Sequence, residues 1–254
     1  MLFDLRGKRK RVVQVVYAAL AAIFLVGFVG FSIGSGNAPG GIFDALGVGG
    51  NGSSGSTSAQ FDDQINAANQ QLAKNPKNTD ALLKLSKYNY YKAKTGISQD
   101  QATGAISVSA DAHTNLGQAV DAWEKYLKDN KGQPNAAGAT QIVQAYYFLN
   151  DAQGAAQAQR IVAENQPSSG SYGQLAFYLY AGFDIPAGDK AAKKAEAQAP
   201  KAQRSQLKQQ LDQIRKQAVS AKKQQAKAQK NAPSPTTPGA NPLQSPFGGV
   251  GTGP

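Results

Sequence analysis

Residues 136–167, AAGATQIVQAYYFLNDAQGAAQAQRIVAENQP, decide how this chain folds. The stretch is rich in Ala and Gln and has no run in which apolar and polar residues alternate with period two, so it reads as helix rather than strand. It closes on Pro167, and proline commonly follows a helix end because it cannot continue the helix. The pattern predicts two helices, 136–149 and 152–165. The same composition extends outward from Ser58 to Lys230. It predicts further helices over 59–74, 79–94, 111–130, 169–183, 187–199 and 201–230. Pro76 and Pro200 follow two of these, as Pro167 follows 152–165, and Ser58, Thr79 and Ser169 are candidate N-caps.

Aligning the segments that begin at Thr79, Ala136 and Ser169 exposes a repeat. Their seventh positions are Leu85, Ile142 and Leu175, and their twelfth positions are Tyr90, Tyr147 and Tyr180. Each is followed by a second helix. The successive patterns are Ala119-x3-Trp123-x2-Tyr126, Ala155-x3-Gln159-x2-Val162 and Gly188-x3-Ala192-x2-Ala195. Pro167 and Pro200 close the last two units 33 residues apart.

These residues resemble the tetratricopeptide-repeat family, whose unit is a 34-residue helix-turn-helix. The run Ala119-Val-Asp-Ala-Trp123-Glu-Lys-Tyr126-Leu matches its second helix. Tyr146-x2-Leu149-Asn-Asp-x3-Ala155 with Pro167 matches it across a turn. The likeness covers about residues 79–200. Gln159 and Ala192 stand where the family has an aromatic, and Ser86, Val143 and Ala176 where its first helix has a small glycine.

The resemblance implies an all-α fold, an α-solenoid of helical hairpins over 59–200. Helix 59–74 would cap its N-terminal end and helix 201–230 would close the C-terminal end. It also implies a concave groove lined by the first helices, taking a peptide or helix from a partner protein. Mapped by position, the groove residues are Lys87, Gln144 and Phe177 at position nine and Tyr90, Tyr147 and Tyr180 at position twelve. Tyrosine offers a large rigid contact area with a polar tip, which suits recognition. The competing reading packs the same tyrosines between neighbouring hairpins. Trp123 and Tyr126 are expected in the core. Residues 95–110, longer than the usual turn within a hairpin, are expected as a loop that either folds over one end of the groove or is a tolerated insertion.

Outside this domain, Arg6, Lys8, Arg9, Lys10 and Arg11 precede Val12–Ile33, a run without a charged residue. At ~1.5 Å per helical residue it reaches ~33 Å, enough for a bilayer core of ~30 Å. The basic cluster keeps the N-terminus on the cytoplasmic side. The expectation is a single-pass anchor in an inner or plasma membrane, with the remaining chain exported. A cleaved signal is the competing reading, but its apolar region is shorter and ends in a small-residue cleavage site. Gly30 and Gly34 have the spacing through which two anchors can pack into a homo-oligomer, although such spacing also arises incidentally in glycine-rich membrane helices. Residues 34–58, with nine Gly and five Ser, read as a flexible linker. The apolar island Ile42, Phe43, Ala45, Leu46 within it either rests on the membrane surface or is disordered. Residues 231–254 are Pro/Gly-rich and read as a disordered tail.

The formal charge of +11 sits at the two ends. Helix 201–230 carries nine basic residues and one acid, Asp212. Its apolar stripe of Leu207, Leu211, Ile214, Ala218 and Ala221 is expected to dock, while Lys222, Lys223, Lys227 and Lys230 are expected to fray outward and meet an anionic surface. The bland reading is a solvated charged helix. No aromatic lies there to stack on bases, so nucleic acid is not expected as a partner.

Enzyme chemistry finds little support, and an enzyme would need a partner subunit to supply the chemistry. There is no Cys, and His113 is the one His, so neither a thiolate site nor a His-based metal cluster or charge relay can be built. Ser220-x-x-Lys223 matches a nucleophile motif only as a string. Asp62 and Asp63 read as first-turn acids favoured by the helix dipole. No cofactor or metal is expected. The sequence thus predicts a membrane-tethered, non-enzymatic scaffold or chaperone-like adaptor for another envelope or membrane protein, with protein export or envelope assembly as the setting by analogy. One alternative is a cell-envelope structural protein that holds an anionic polymer or lipid through the basic helix, and another is an assembly factor acting through lateral packing of the anchor.

Overall fold

Helix α1 (Ser54–Lys74) packs along α2 (Thr79–Lys94), and α2 pairs with α3 (Ala110–Asp129) as the first of three helical hairpins. The second is α4 (Ala136–Phe148) with α5 (Ala152–Asn165), and the third is α6 (Ser169–Ala181) with α7 (Ile185–Gln198). The 30-residue α8 (Lys201–Lys230) lies against α6 and α7. A computed structural model describes the backbone of residues 54–100 and 105–230 and the side chains of 59–100 and 105–227. Val12–Ile33, the linker up to Ser53 and the 231–254 tail lie outside the described residues. Among the described residues, no helix is long and apolar enough to cross a membrane.

Side chains that accept from the first turn fix the helix starts. Asn78, Ser109, Asn135, Asp151, Ser168 and Asp184 each accept from a backbone N–H three residues on. The expected caps Thr79 and Ser169 are instead first helical residues, displaced by Asn78 and Ser168, whose side chains reach those N–H groups. Helix α1 begins at Ser54 rather than after Ser58, so Asp62 and Asp63 do not lie in its first turn. Asp62 serves another purpose: it accepts from Lys92 Nζ at 2.6 Å and ties α1 to the end of α2.

The segment expected as a loop at 95–110 contains a two-stranded antiparallel ribbon, β1 (Ile97–Gln99) with β2 (Ile106–Val108). Ile97 pairs with Val108 and Gln99 with Ile106. Ile97 is buried, and Ile106 and Val108 pack against the same core. Only three residues alternate on each side, too few to show as period two in the sequence.

The core forms along the hairpin seams. Trp123 and Tyr126 are 1% and 4% exposed, with ring centroids 5.1 Å apart. A Cβ on Gly138 would meet Trp123 at 2.9 Å, so α4 starts directly on the indole. Tyr126 Oη accepts from the Asn135 N–H at 2.9 Å and places the cap of α4. Gln159 is buried and donates to the Ser171 carbonyl at 3.0 Å, joining α5 to α6.

The turns of the second and third hairpins repeat at 33 residues. Asn150 and Phe183 both take positive φ, 59° and 62°, and each precedes a capping Asp. Buried tyrosines recur at 34 instead. Tyr146 lies over Gly154 and donates to Glu124 Oε1 at 3.0 Å. Tyr180 lies over Gly188 and donates to Asp189 Oδ1 at 2.9 Å. A Cβ at Gly188 would sit 2.5 Å from ring carbons that cannot swing away while the hydroxyl is held. Gly188→Ala is therefore expected to lower stability by about 1–2 kcal/mol, overpacking outweighing the gain in helix propensity. Gly117, also mid-helix, has nothing within 4 Å of an added Cβ. Gly117→Ala is expected to raise stability by about 0.5–1 kcal/mol. Urea midpoints of the two variants should move in opposite directions.

Helix α8 docks as its stripe implies, with Leu211, Ile214 and Ala218 at 0–1% exposure and Leu207 and Ala221 half-buried. Arg215 Nε donates to Asp189 Oδ1 at 2.7 Å, so this carboxylate holds both α6 and α8. The guanidinium hydrogen bond, with help from the Tyr180 hydroxyl, keeps the Asp189 carboxyl below its ordinary range despite partial burial. A depressed folded-state value adds stability above the unfolded carboxyl value and loses it as pH falls through the folded one. The acid limb of a melting-temperature profile should therefore be shallower in Asp189→Asn than in the unmodified chain.

Candidate protein-binding surface

The first helices of the hairpins, α2, α4 and α6, each carry half-buried aromatic side chains, which together make an aromatic strip. From α2 come Tyr88 and Tyr91, from α4 Tyr147 and Phe148, and from α6 Phe177 and Tyr178. Within each of α4 and α6 the two rings meet edge to face, at 5.4 Å for Tyr147–Phe148 and 5.3 Å for Phe177–Tyr178. Tyr91 meets Phe61 of α1 at 6.0 Å. Tyr178 packs against the core on both sides of the α4–α6 junction. Burial, and then the neighbouring Tyr147, push its hydroxyl well above the ordinary tyrosine value. Burial likewise raises Tyr147. Both hydroxyls therefore stay neutral.

The register of the strip is fixed by polar contacts between helices. Tyr90 Oη donates to Gln144 Oε1, and Gln141 Nε2 donates to Tyr91 Oη at 2.9 Å. These two bonds join α2 to α4 on the same side as the strip.

The six residues expected to line a groove divide accordingly. Lys87 is exposed, with its ammonium 5.5 Å from the Tyr88 ring centre and 5.8 Å from that of Tyr91. Gln144, Tyr147 and Phe177 are half-exposed. Tyr90 and Tyr180, at 3% and 1% exposure, are core residues and offer no surface to a partner. Tyr90 turns to Gln144, and Tyr180 fills the space over Gly188. The twelfth-position ladder is therefore not uniform. Tyr146 takes the buried place in α4 and leaves Tyr147 half outside. Position mapping missed Tyr91, Phe148 and Tyr178, each directly beside a mapped residue. Paired aromatics in one helix (Tyr90-Tyr91, Tyr147-Phe148, Phe177-Tyr178) were the signal, since two adjacent helical positions lie ~100° apart and cannot both enter one seam.

Next to Lys87, a hollow of about 260 Å³ is lined by Leu83, Lys84, Asn135, Ala137, Gly138 and Gln141 among others. The strip thus combines aromatic contact area with two lysines at its α2 end.

On α8, the four lysines expected at an anionic surface are not equivalent. Lys222 Nζ donates to the Phe183 carbonyl at 2.9 Å, so its side chain turns back onto the α6–α7 turn. Lys223 and Lys227 are exposed, and the Lys230 side chain lies outside the described side chains. The end of α8, expected to fray, is helical through Lys230. His113 is exposed near the start of α3, and among the described residues no group of three His, Cys, Asp or Glu could hold a metal ion.

No protein-family model matches the chain, and no curated protein matches it. A crystal structure of MamA is 17% identical, covering 67% of this chain and 94% of that one, with a TM-score of 0.38. A second, a crystal structure of MamA protein, is 16% identical, covering 67% and 87%, with the same score. Likenesses this distant leave the hairpin stack itself as the basis for function.

Proposed function

We propose that this chain is a membrane-tethered, non-enzymatic scaffold whose helical domain binds a segment of another protein along the α2–α4–α6 strip. The half-exposed pair Tyr147 and Phe177, on successive hairpins and edged by Tyr91, Phe148 and Tyr178, carries the reading. Aromatic residues that are rigid, partly desolvated and grouped across elements are the usual anchors of protein recognition. Lys84 and Lys87 at one end favour a segment with apolar side chains and a carboxylate beside them. The uncharged run Val12–Ile33 behind five basic residues supports the tether, with the domain on the far side of the membrane. Tethering raises local concentration near membrane partners without any new contact.

The test is photocrosslinking in cells of the source organism, from a probe at Gln144, with and without Tyr147→Ala and Phe177→Ala. A discrete adduct should lose intensity at least tenfold in the double variant while its melting temperature falls by only a few degrees. Equal adduct in both would move the binding surface elsewhere. A second reading, contact with an anionic envelope polymer or lipid, draws on the exposed Lys223 and Lys227. It predicts salt-sensitive binding that neutralising Lys222, Lys223, Lys227 and Lys230 removes.

A further inference from the structure

A hollow of about 670 Å³ lies between α1 and α3 over α2, lined by residues other than those of the aromatic strip. Ile65 and Leu72 of α1, Leu82 and Leu85 of α2 and Ala122 of α3 give it apolar walls, and Gln118, Asp121 and Lys125 form its α3 rim. Asn89, 1% exposed, is part of its lining. Its Nδ2 donates to the Leu85 carbonyl at 2.8 Å, while its Oδ1 is buried with no hydrogen-bond partner among the described residues. Buried carbonyl oxygens are rarely left unmet, so this oxygen would take a donor that reached it from the groove. The terminal torsion of a carboxamide is soft, and a small rotation turns the oxygen toward an incoming donor.

We propose that residues 42–46, Ile42-Phe43-Asp44-Ala45-Leu46, dock in this groove and that a backbone N–H of the segment donates to Asn89 Oδ1. Two observations single out this occupant. In residues 34–53 it is the concentrated apolar island in a stretch otherwise dominated by Gly, Ser and Asn, and the groove walls are apolar. It is also tethered within reach. Helix α1 runs antiparallel to α2, with Asp62 on Lys92 and Phe61 on Tyr91, so Asn89 lies near the level of Ile65. From Ser54 to Ile65 the helix advances ~17 Å. The eight steps from Leu46 back to Ser54 span up to ~26–29 Å, enough to double back along α1 to Asn89. Docking would convert the second half of the linker into part of the domain and shorten the free tether to the residues before Ile42.

The chain has no Cys, so two introduced cysteines are its only thiols. Phe43→Cys with Gln118→Cys, in the full chain under mild oxidation, should form an intramolecular disulfide at least tenfold faster than Phe43→Cys with Ser220→Cys, whose second thiol is exposed on α8. In the first pair, adding Asn89→Leu should slow the reaction several-fold while circular dichroism keeps its helical signal. Equal rates in the two pairs would mean the groove holds only water and would overturn the proposal. A disulfide-linked dimer as the main product would overturn it too, assigning the groove to a second copy. An unchanged rate in Asn89→Leu would remove Asn89 from the interaction and overturn the hydrogen bond on which the proposal stands.

Discussion

Trp123→Ala is expected to lower the stability of the helical domain by about 3–5 kcal/mol, the cost of truncating a buried large aromatic. The indole is 1% exposed and belongs to the core that runs from α2 through α5. It lies against Tyr126 within its own helix, and Gly138 of the next hairpin starts directly on it. The loss therefore falls on a junction between repeats as well as inside one. Tyr126 accepts from the N–H of Asn135, the cap of α4, so a cavity beside it loosens that cap too. Urea unfolding should show a lower midpoint, with an unchanged slope if the unit remains cooperative. A loss under about 1 kcal/mol would mean that the α3–α4 seam is held by something other than this side chain.

Ile214→Ala is expected to cost about 2–5 kcal/mol and to release α8 from α6 and α7. Ile214 is 1% exposed between Leu211 and Ala218 in the seam. The polar contacts of α8, among them Arg204 with the Ala197 and Ala199 carbonyls, Arg215 with Asp189 and Lys222 with the Phe183 carbonyl, lie at exposed or partly solvated positions. Contacts of that kind are screened by solvent and add little. The apolar stripe should therefore decide docking, and Lys222→Ala should change the melting temperature by no more than a few degrees. Trypsin reads the outcome directly, because α8 carries nine Lys and Arg residues. Cleavage within α8 should accelerate strongly in Ile214→Ala and little in Lys222→Ala. The reverse order would make the helix a charge-held element.

The helices were legible because Ala, Gln and Leu at helical spacing, with Pro after the ends, leave few other readings. The repeat was legible through Pro167 and Pro200, whose 33-residue spacing is also that of the turns at Asn150-Asp151 and Phe183-Asp184. The side-chain register was not. Tyr146 and Tyr147 are both candidates for the seam, and the choice depends on where Gly154 comes beneath the ring. Gly188 makes the corresponding choice for Tyr180, one residue later in its own repeat. A sequence alignment by position carries Tyr147 and Tyr180 together, while packing separates them. The ribbon at 97–108 was hidden because three residues per strand are too few for a periodic signal. The Asn89 groove was hidden because its walls come from three helices and the sequence marks none of them as unmatched.

The proposed binding surface makes Tyr147 the position to probe. A photoreactive residue placed there in the full chain, irradiated in cells of the source organism and analysed by mass spectrometry, should give one discrete adduct. A probe at Lys223, exposed on α8, should give none. An adduct from Lys223 with none from Tyr147 would contradict the account and place the function on the basic helix.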